Sequence, residues 1–363
     1  MKWLSGLTLL AIILLPACTR PPEVDIPEIK RPPRPSPLDQ LDAAQIPEET
    51  RKLIAVPDLV ALVQAHNRSV GAVAFSPDGK RLASSGWDNK VTIWDMTGAE
   101  PHEYAKLDGS PSGVAFLADG KTLVAGGLEP RVVLWDISGD TPKARPKLGG
   151  HKTSPFAIQV APGDKFLASG SLGPLLRVWK LSGDVAEVWT VIGGESASAL
   201  GISSLSFSAD GKLLAVGHNV GKPSLRIWET SGESLQERTL PATQARLVRF
   251  SPQAPVLAFA ADDAVIHLWS VDGNEPKSLP DLNGHKASDS GPAIKALAFT
   301  PDGKVLASGG QDKQLILWDV ARVERIRAIP LLDEVRALAF APDGRHLAVG
   351  NADGTIYILR LKW

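Results

Sequence analysis

The chain has 363 residues, with 39 basic and 40 acidic side chains and a formal net charge of −1. This near-neutral balance excludes the strongly basic surface typical of a general nucleic-acid binder, so we expect no nucleic-acid partner. A single cysteine excludes a disulfide framework, a multi-cysteine zinc site and a CxxCH haem attachment site. Ten tryptophans against two tyrosines is an unusual ratio that suggests a repeated structure.

Residues 1–17 are predicted to be a lipoprotein signal peptide. Lys2 precedes a mostly apolar stretch at 4–15, which is shorter than the roughly 20 residues that cross a bilayer. The LPAC sequence that ends at Cys18 resembles the lipobox of bacterial lipoproteins, although the family usually has a small residue in place of Pro16. The resemblance implies cleavage before Cys18 and its lipidation, with at least two acyl chains for stable anchoring. An ordinary secretory signal with a chance cysteine is the alternative.

Residues 18–50 are predicted to be the lipidated cysteine and a proline-rich tether. Eight prolines fall between Thr19 and Thr50, which favours extended polyproline II over a packed core. A ligand for a domain that recognises PxxP is the alternative. Because Thr19 is not acidic, analogy with enteric bacteria favours a periplasm-facing position on the outer membrane.

A short apolar pattern recurs along residues 51–363 and contains tryptophan in six of its seven copies. Successive copies are 41, 44, 49, 41, 49 and 41 residues apart. An Asp-Gly turn lies 16 residues before this position in four of the copies. The repeated position is occupied by Trp94, Trp135, Trp179, Trp228, Trp269, Trp318 and Leu359.

This pattern closely resembles the WD-repeat β-propeller family over about residues 59 to 363. A period near 40 residues with four short strands per unit is typical of that fold. The resemblance implies an all-β, seven-bladed propeller of four-stranded antiparallel blades. The last copy stops after its third strand, so we expect an N-terminal strand at 59–63 to complete it and to close the ring.

The resemblance also implies structural tetrads that join His, Ser, Asp and Trp within a blade. Blade three has His151, Ser169 and Trp179 but Gly173 at the Asp position, and the other blades lack the His. The two full matches are His66, Ser84, Asp88 and Trp94 in blade one, and His285, Ser308, Asp312 and Trp318 in blade six.

We expect partner binding on one face, called here the variable-loop face. It carries the connections between second and third strands and those between consecutive blades, including the insertions at 192–201, 218–223 and 283–292. Function tends to lie in variable loops on a rigid scaffold, and aromatic residues often carry interface energy. The candidates are Trp87, Arg131, His218, Lys222, Asp262, Lys286, Asp289 and Gln311.

No catalytic or metal-binding motif is found, so no cofactor is expected and the protein is not predicted to be an enzyme. The first strands VGAVAF, ISSLSF and IKALAF are mostly small and apolar, which argues against chemistry in the central channel. The sequence therefore favours a membrane-anchored, non-catalytic scaffold for a protein partner in the bacterial cell envelope. The alternatives are a propeller enzyme of the lactonase or quinoprotein type, and an envelope sensor that binds a small ligand or glycan.

Overall fold

The structure, a computed structural model, describes residues 36–362 except 49, 52–55, 57, 110–112, 127–129, 172, 174, 183–184, 194–200, 220–224, 239, 242, 274 and 288–292. Short 3-10 helices span Pro37–Gln40, Ala43–Gln45 and Pro162–Asp164. Within the described residues, no helix is long and apolar enough to cross a membrane. The strands found there, in chain order, are β1 (Leu59–Gln64), β2 (Val70–Phe75), β3 (Arg81–Gly86), β4 (Lys90–Asp95), β5 (His102–Asp108), β6 (Val114–Phe116), β7 (Thr122–Gly126), β8 (Val132–Asp136), β9 (Lys143–Ala144), β10 (Pro155–Val160), β11 (Phe166–Ser171), β12 (Leu176–Ser182), β13 (Val185–Ile192), β14 (Ile202–Phe207), β15 (Leu213–His218), β16 (Leu225–Glu229), β17 (Gln236–Glu237), β18 (Leu247–Phe250), β19 (Val256–Ala260), β20 (Val265–Ser270), β21 (Lys277–Asn283), β22 (Ile294–Phe299), β23 (Val305–Gly310), β24 (Gln314–Asp319), β25 (Glu324–Pro330), β26 (Val335–Phe340), β27 (His346–Asn351) and β28 (Thr355–Arg360).

These strands form seven antiparallel four-stranded sheets, as the sequence predicts. Blades one to six are β2–β5, β6–β9, β10–β13, β14–β17, β18–β21 and β22–β25 in simple meander order. Each first strand contacts the first strand of the next blade, and β26 contacts β2, so the blades form a closed ring.

The closing strand lies where the sequence predicts it. Blade seven has the order β1-β28-β27-β26, so the N-terminal strand forms its outer edge. Leu59 pairs with Leu359 and Gln64 pairs with Thr355 across this junction, with a β-bulge near Leu59. Because the chain ends are hydrogen-bonded within one blade, the ring has no open seam at which two neighbouring blades could separate.

The repeated tryptophans lie on the third strands and pack between sheets. Trp94, Trp179, Trp269 and Trp318 are buried, while Trp135 and Trp228 are half-buried. Trp318, for example, belongs to an apolar cluster that includes residues of both blade five and blade six. These side chains therefore stabilise the contact between neighbouring blades.

The turns on the opposite face recur because in five blades a left-handed glycine follows an aspartate. Gly79 has a φ of +71° and Gly303 has a φ of +70°, a backbone conformation that other residues adopt only with strain. In the first of these turns the Asp78 carboxylate accepts hydrogen bonds from the Ser76 hydroxyl and the Lys80 backbone N–H. This local chemistry explains the regular Asp-Gly spacing in the sequence.

Residues 36–46 contact the propeller, although the sequence places them inside the predicted tether. Leu38 and Leu41 are 0% and 2% exposed and pack in one apolar cluster with Trp94. The packed domain therefore begins before residue 51, because apolar side chains of this segment find apolar partners on the blades. Arg360 holds the segment by donating through Nη2, at 3.1 Å each, to the carbonyl oxygens of Leu38, Asp39 and Leu41.

Candidate functional site: structural tetrads, the variable-loop face and the central channel

The four expected tetrad residues of blade six meet in one hydrogen-bonded chain. Trp318 Nε1 donates to Ser308 Oγ at 2.8 Å, and Ser308 Oγ lies 2.7 Å from His285 Nε2. His285 Nδ1 lies 3.0 Å from Asp312 Oδ2. Burial raises the pKa of Asp312, but hydrogen bonds and charge from His285 and from backbone N–H groups outweigh it and hold the pKa below its usual value. The network is internal, so these residues stabilise the blade.

Blade one has the same arrangement with slightly longer contacts. His66 lies 3.0 Å from Asp88 Oδ1 and 2.9 Å from Ser84 Oγ, and Trp94 Nε1 donates to Ser84 Oγ at 3.3 Å. Burial lowers the pKa of His66, and the carboxylate of Asp88 offsets only part of that effect.

Blade three has an incomplete tetrad. His151 Nε2 lies 2.5 Å from Ser169 Oγ, but its buried Nδ1 has no hydrogen-bond partner among the described residues. Burial, with a smaller contribution from the charge of Arg177, lowers the pKa of His151 to about 4. Blade three differs from blades one and six because Gly173 occupies the position at which they have an aspartate.

The variable-loop face presents an exposed aromatic residue at the position that the sequence singles out. Trp87 lies between β3 and β4 and is 51% exposed. Its ring centroid is 6.0 Å from that of Phe156, and the two planes are tilted by 43°. Phe156 lies on β10 of blade three and lines the central channel. Trp87 therefore reaches across blade two and is held on one side while its other side faces solvent.

A second exposed apolar side chain on this face, Leu332, is absent from the residues predicted by sequence. It lies in the connection from β25 to β26 and is 51% exposed. The carbonyl oxygen of Leu332 accepts a hydrogen bond from Lys313 Nζ at 3.0 Å, so Leu332 lies beside the loop between β23 and β24 of blade six. Among the described residues, the other large exposed apolar side chains lie on the outer strands β13 and β25, and they are Val188, Val191 and Ile326.

The remaining candidates have different surroundings. Arg131 and Lys286 are exposed at the variable-loop face, and Gln311 is half-buried there. The carboxylate of Asp262 forms an ion pair at 2.7 Å with Arg246, so its charge is already compensated.

His218 is a correction to the predicted binding surface. The residue ends β15 and is 7% exposed, so its side chain is not presented to a partner. Its backbone N–H donates to the carbonyl oxygen of Ala245, which places it inside the packing between blades four and five. Three predicted residues lie outside the described part of the chain, and they are Cys18, Lys222 and Asp289.

The central channel is more polar than the mostly small and apolar first strands of blades one, four and six predict. All seven first strands line it, and they contribute Arg249, Lys295 and Arg336 in addition to many small and apolar residues. These basic residues lie on β18, β22 and β26. Lys295 is visible in the strand IKALAF, and an alignment of all seven first strands would have added Arg249 and Arg336. Among the described residues, no group of three or more His, Cys, Asp or Glu side chains is placed to hold a metal ion.

Comparisons with known proteins agree with this architecture. Residues 58–95, 143–180, 276–319 and 332–359 match the family model "WD domain, G-beta repeat". The chain is 30% identical over 138 residues to Transducin beta-like protein 3 of Rattus norvegicus, covering 37% of this chain and 16% of that protein. It is 32% identical over 90 residues to the 66 kDa stress protein of Physarum polycephalum, covering 25% of this chain and 14% of that protein. The chain thus spans less than a fifth of the length of these two relatives, and four segments of its seven-bladed propeller match the WD-domain model.

Proposed function

We propose that this protein is a non-catalytic scaffold that binds a protein partner on its variable-loop face. The observation that carries the proposal is the placement of Trp87, a half-exposed aromatic ring supported from one side by Phe156. A rigidly held aromatic side chain loses little conformational entropy on binding and buries a large apolar area, which is why such residues are frequent hot spots.

The rest of the face fits a protein surface of mixed character. Leu332 adds exposed apolar area elsewhere on this face, and Arg131 and Lys286 supply exposed charges. Typical interfaces combine an apolar centre with a polar rim. The tetrads are internal to their blades and have a structural role, so the loops are left to determine which partner is bound.

The proposal places this scaffold in a bacterial cell envelope, tethered through a lipid on Cys18. The support is the LPAC sequence that ends at Cys18, the apolar stretch before it and the proline-rich stretch after it. Diacylation gives stable membrane attachment, and an extended tether lets the propeller reach partners away from the lipid surface. The periplasm-facing outer membrane is the proposed location.

Crosslinked affinity capture from the native membrane tests the docking face. Trp87→Ala and Leu332→Ser should each reduce recovery of the partner, and the double variant should reduce it further. Ile326→Ala is the matched control, because Ile326 is 48% exposed on the outer strand β25 and away from the variable-loop face. If Ile326→Ala lowers recovery as much as Trp87→Ala, or if neither lowers it, the proposed face is wrong.

A further inference from the structure

The central channel concentrates positive charge. Its volume is about 450 Å³, and its ionisable lining residues are Arg249, Lys295 and Arg336. Among the described residues, no aspartate or glutamate lines it. The three cations come from blades five, six and seven, which follow one another around the ring.

The three cations lie at two levels of the channel. Lys295 and Arg336 are each the second residue of their first strand, β22 and β26, near the variable-loop face. Arg249 is the penultimate residue of β18 and therefore lies nearer the opposite face. A ligand with two separated negative groups could contact both levels at once.

Among the described residues, the hydrogen-bond acceptors found for Arg249 are neutral. Its Nε donates to the carbonyl oxygen of Leu297 at 3.3 Å, and its Nη1 donates to the amide oxygen of Gln159 at 3.2 Å. Burial lowers the pKa of Arg249, which indicates that its charge is poorly solvated. An arginine remains charged in proteins, so this site carries a cation for which no carboxylate contact is found in the described part of the chain.

The positive charge of the two cations near the variable-loop face is only partly compensated by carboxylates. Arg336 Nη2 contacts Glu334 at 2.6 Å, but its buried Nε has no hydrogen-bond partner among the described residues. Among the described residues, Lys295 Nζ likewise forms no hydrogen bond. Burial together with the charge of Arg336 lowers the pKa of Lys295. The neighbouring Arg246 is neutralised by Asp262.

We propose that the channel binds a small organic anion with at least two phosphate or carboxylate groups, held by Arg249 at one level and by Lys295 and Arg336 at the other. Charge-assisted hydrogen bonds to such groups are strong, and an anion would relieve the repulsion between the cations. The channel volume lies within the range of small-molecule sites, which favours a compact ligand over a folded chain segment. Trp87 does not line the channel, although its partner Phe156 does, so substitutions at Arg249 and Lys295 test the anion site without changing the proposed docking residue.

Thermal unfolding and calorimetric titration of the full chain in detergent test the site, with sodium pyrophosphate and sodium citrate as probes. Either anion should raise the unfolding temperature saturably beyond sodium chloride at matched ionic strength, and comparison of the two separates phosphate from carboxylate preference. Arg249→Gln and Lys295→Gln should each weaken binding by about tenfold to a hundredfold, as expected for loss of a charged hydrogen bond. Lys295→Gln should be at least as stable as the parent without anion, because it removes a repelled cation.

Lys304→Gln and Arg322→Gln are the matched controls, since both residues are exposed outside the channel and each change also removes one positive charge. The proposal predicts unchanged binding in these variants. It is overturned if neither anion exceeds the chloride effect, or if the control variants weaken binding as much as the channel variants. It is also overturned if a glutamate-rich peptide binds the channel residues while neither small anion does.

Discussion

The ring of Trp87 in blade one lies against the ring of Phe156 in blade three, with their centroids 6.0 Å apart. Blade two lies between them, and its first strand is only the three residues of β6. The contact therefore joins two blades that are not neighbours in the ring. It supports Trp87 in a fixed position on the variable-loop face, where a partner would find it already ordered.

A double-mutant cycle should detect this contact. Trp87→Ala and Phe156→Leu are expected to show a coupling free energy of about 0.5–1.5 kcal/mol in urea unfolding, the usual range for a tilted aromatic pair. Trp87→Ala combined with Phe166→Leu is the control, since Phe166 stacks on Trp189 instead. Coupling near zero in the first cycle would show that Phe156 does not support Trp87.

Loss of the shared hydroxyl in blade six should be costly. Ser308→Ala leaves both His285 Nε2 and Trp318 Nε1 without their partner inside the blade. We expect a loss of about 2–4 kcal/mol in unfolding free energy, because each buried polar group left unsatisfied costs about 1–3 kcal/mol. Ser278→Ala on the exposed strand β21 should change stability little, and equal effects of the two substitutions would contradict this role of Ser308.

The incomplete tetrad of blade three should make the propeller sensitive to mild acid. The pKa of His151 is about 4 in the folded protein, below the ordinary histidine value of 6.5. As the pH falls, the histidine is therefore protonated in the unfolded chain before it is protonated in the folded protein. The free energy of unfolding should decrease by on the order of 3 kcal/mol between about pH 6.5 and pH 4. Urea unfolding at several pH values, compared between the parent and His151→Gln, measures this contribution.

Gly173→Asp should reduce that sensitivity by completing the tetrad. A Cβ at Gly173 would lie 3.8 Å from Ser171 Oγ, an ordinary contact, so the side chain can be accommodated. The new carboxylate should raise the pKa of His151, which an NMR titration of its ring protons would report. An unchanged pKa would mean that the added Asp does not reach Nδ1.

Removal of the closing strand should weaken the whole ring. Deletion of all residues through Gln64, in a soluble form that carries no lipid, removes β1 and opens blade seven. We expect the free energy of unfolding to fall by several kcal/mol and the melting temperature to decrease. Deletion of residues 1–34 alone should leave the melting temperature unchanged, because the packed segment 36–46 remains. An unchanged melting temperature after the longer deletion would rule out closure as a stabilising feature.

The anchor can be tested by fatty-acid labelling in the native host. Cys18→Ala should abolish incorporation of labelled fatty acid and release the protein from membranes, because it removes the thiol that is acylated. Pro16→Ala is the matched control, since it brings the lipobox closer to the usual pattern and should preserve labelling. Continued labelling of the Cys18→Ala variant would refute lipidation at this residue.

Local chemistry explains why the propeller itself was predictable. The Asp-Gly turns need a left-handed glycine, and the third-strand tryptophans need an apolar slot between sheets, so both recur along the chain. The outer edge of blade seven was predictable because a four-stranded unit that lacks its last strand requires a partner from elsewhere. The packing of Leu38 was not predictable, because a proline-rich composition conceals which single apolar residues find a partner.

The six repeated tryptophans and the repeat spacing determined by sequence alone that this chain is a seven-bladed propeller, since the strands of blades one to six each come from one continuous repeat and the last repeat lacks only its fourth strand. Only the tertiary structure decided which side chains meet across the ring. Trp87 contacts Phe156 across blade two, and Arg249, Lys295 and Arg336 share one channel although each is about one repeat from the next. Such contacts depend on closure of the ring, because it brings the first strands of distant repeats around a common axis.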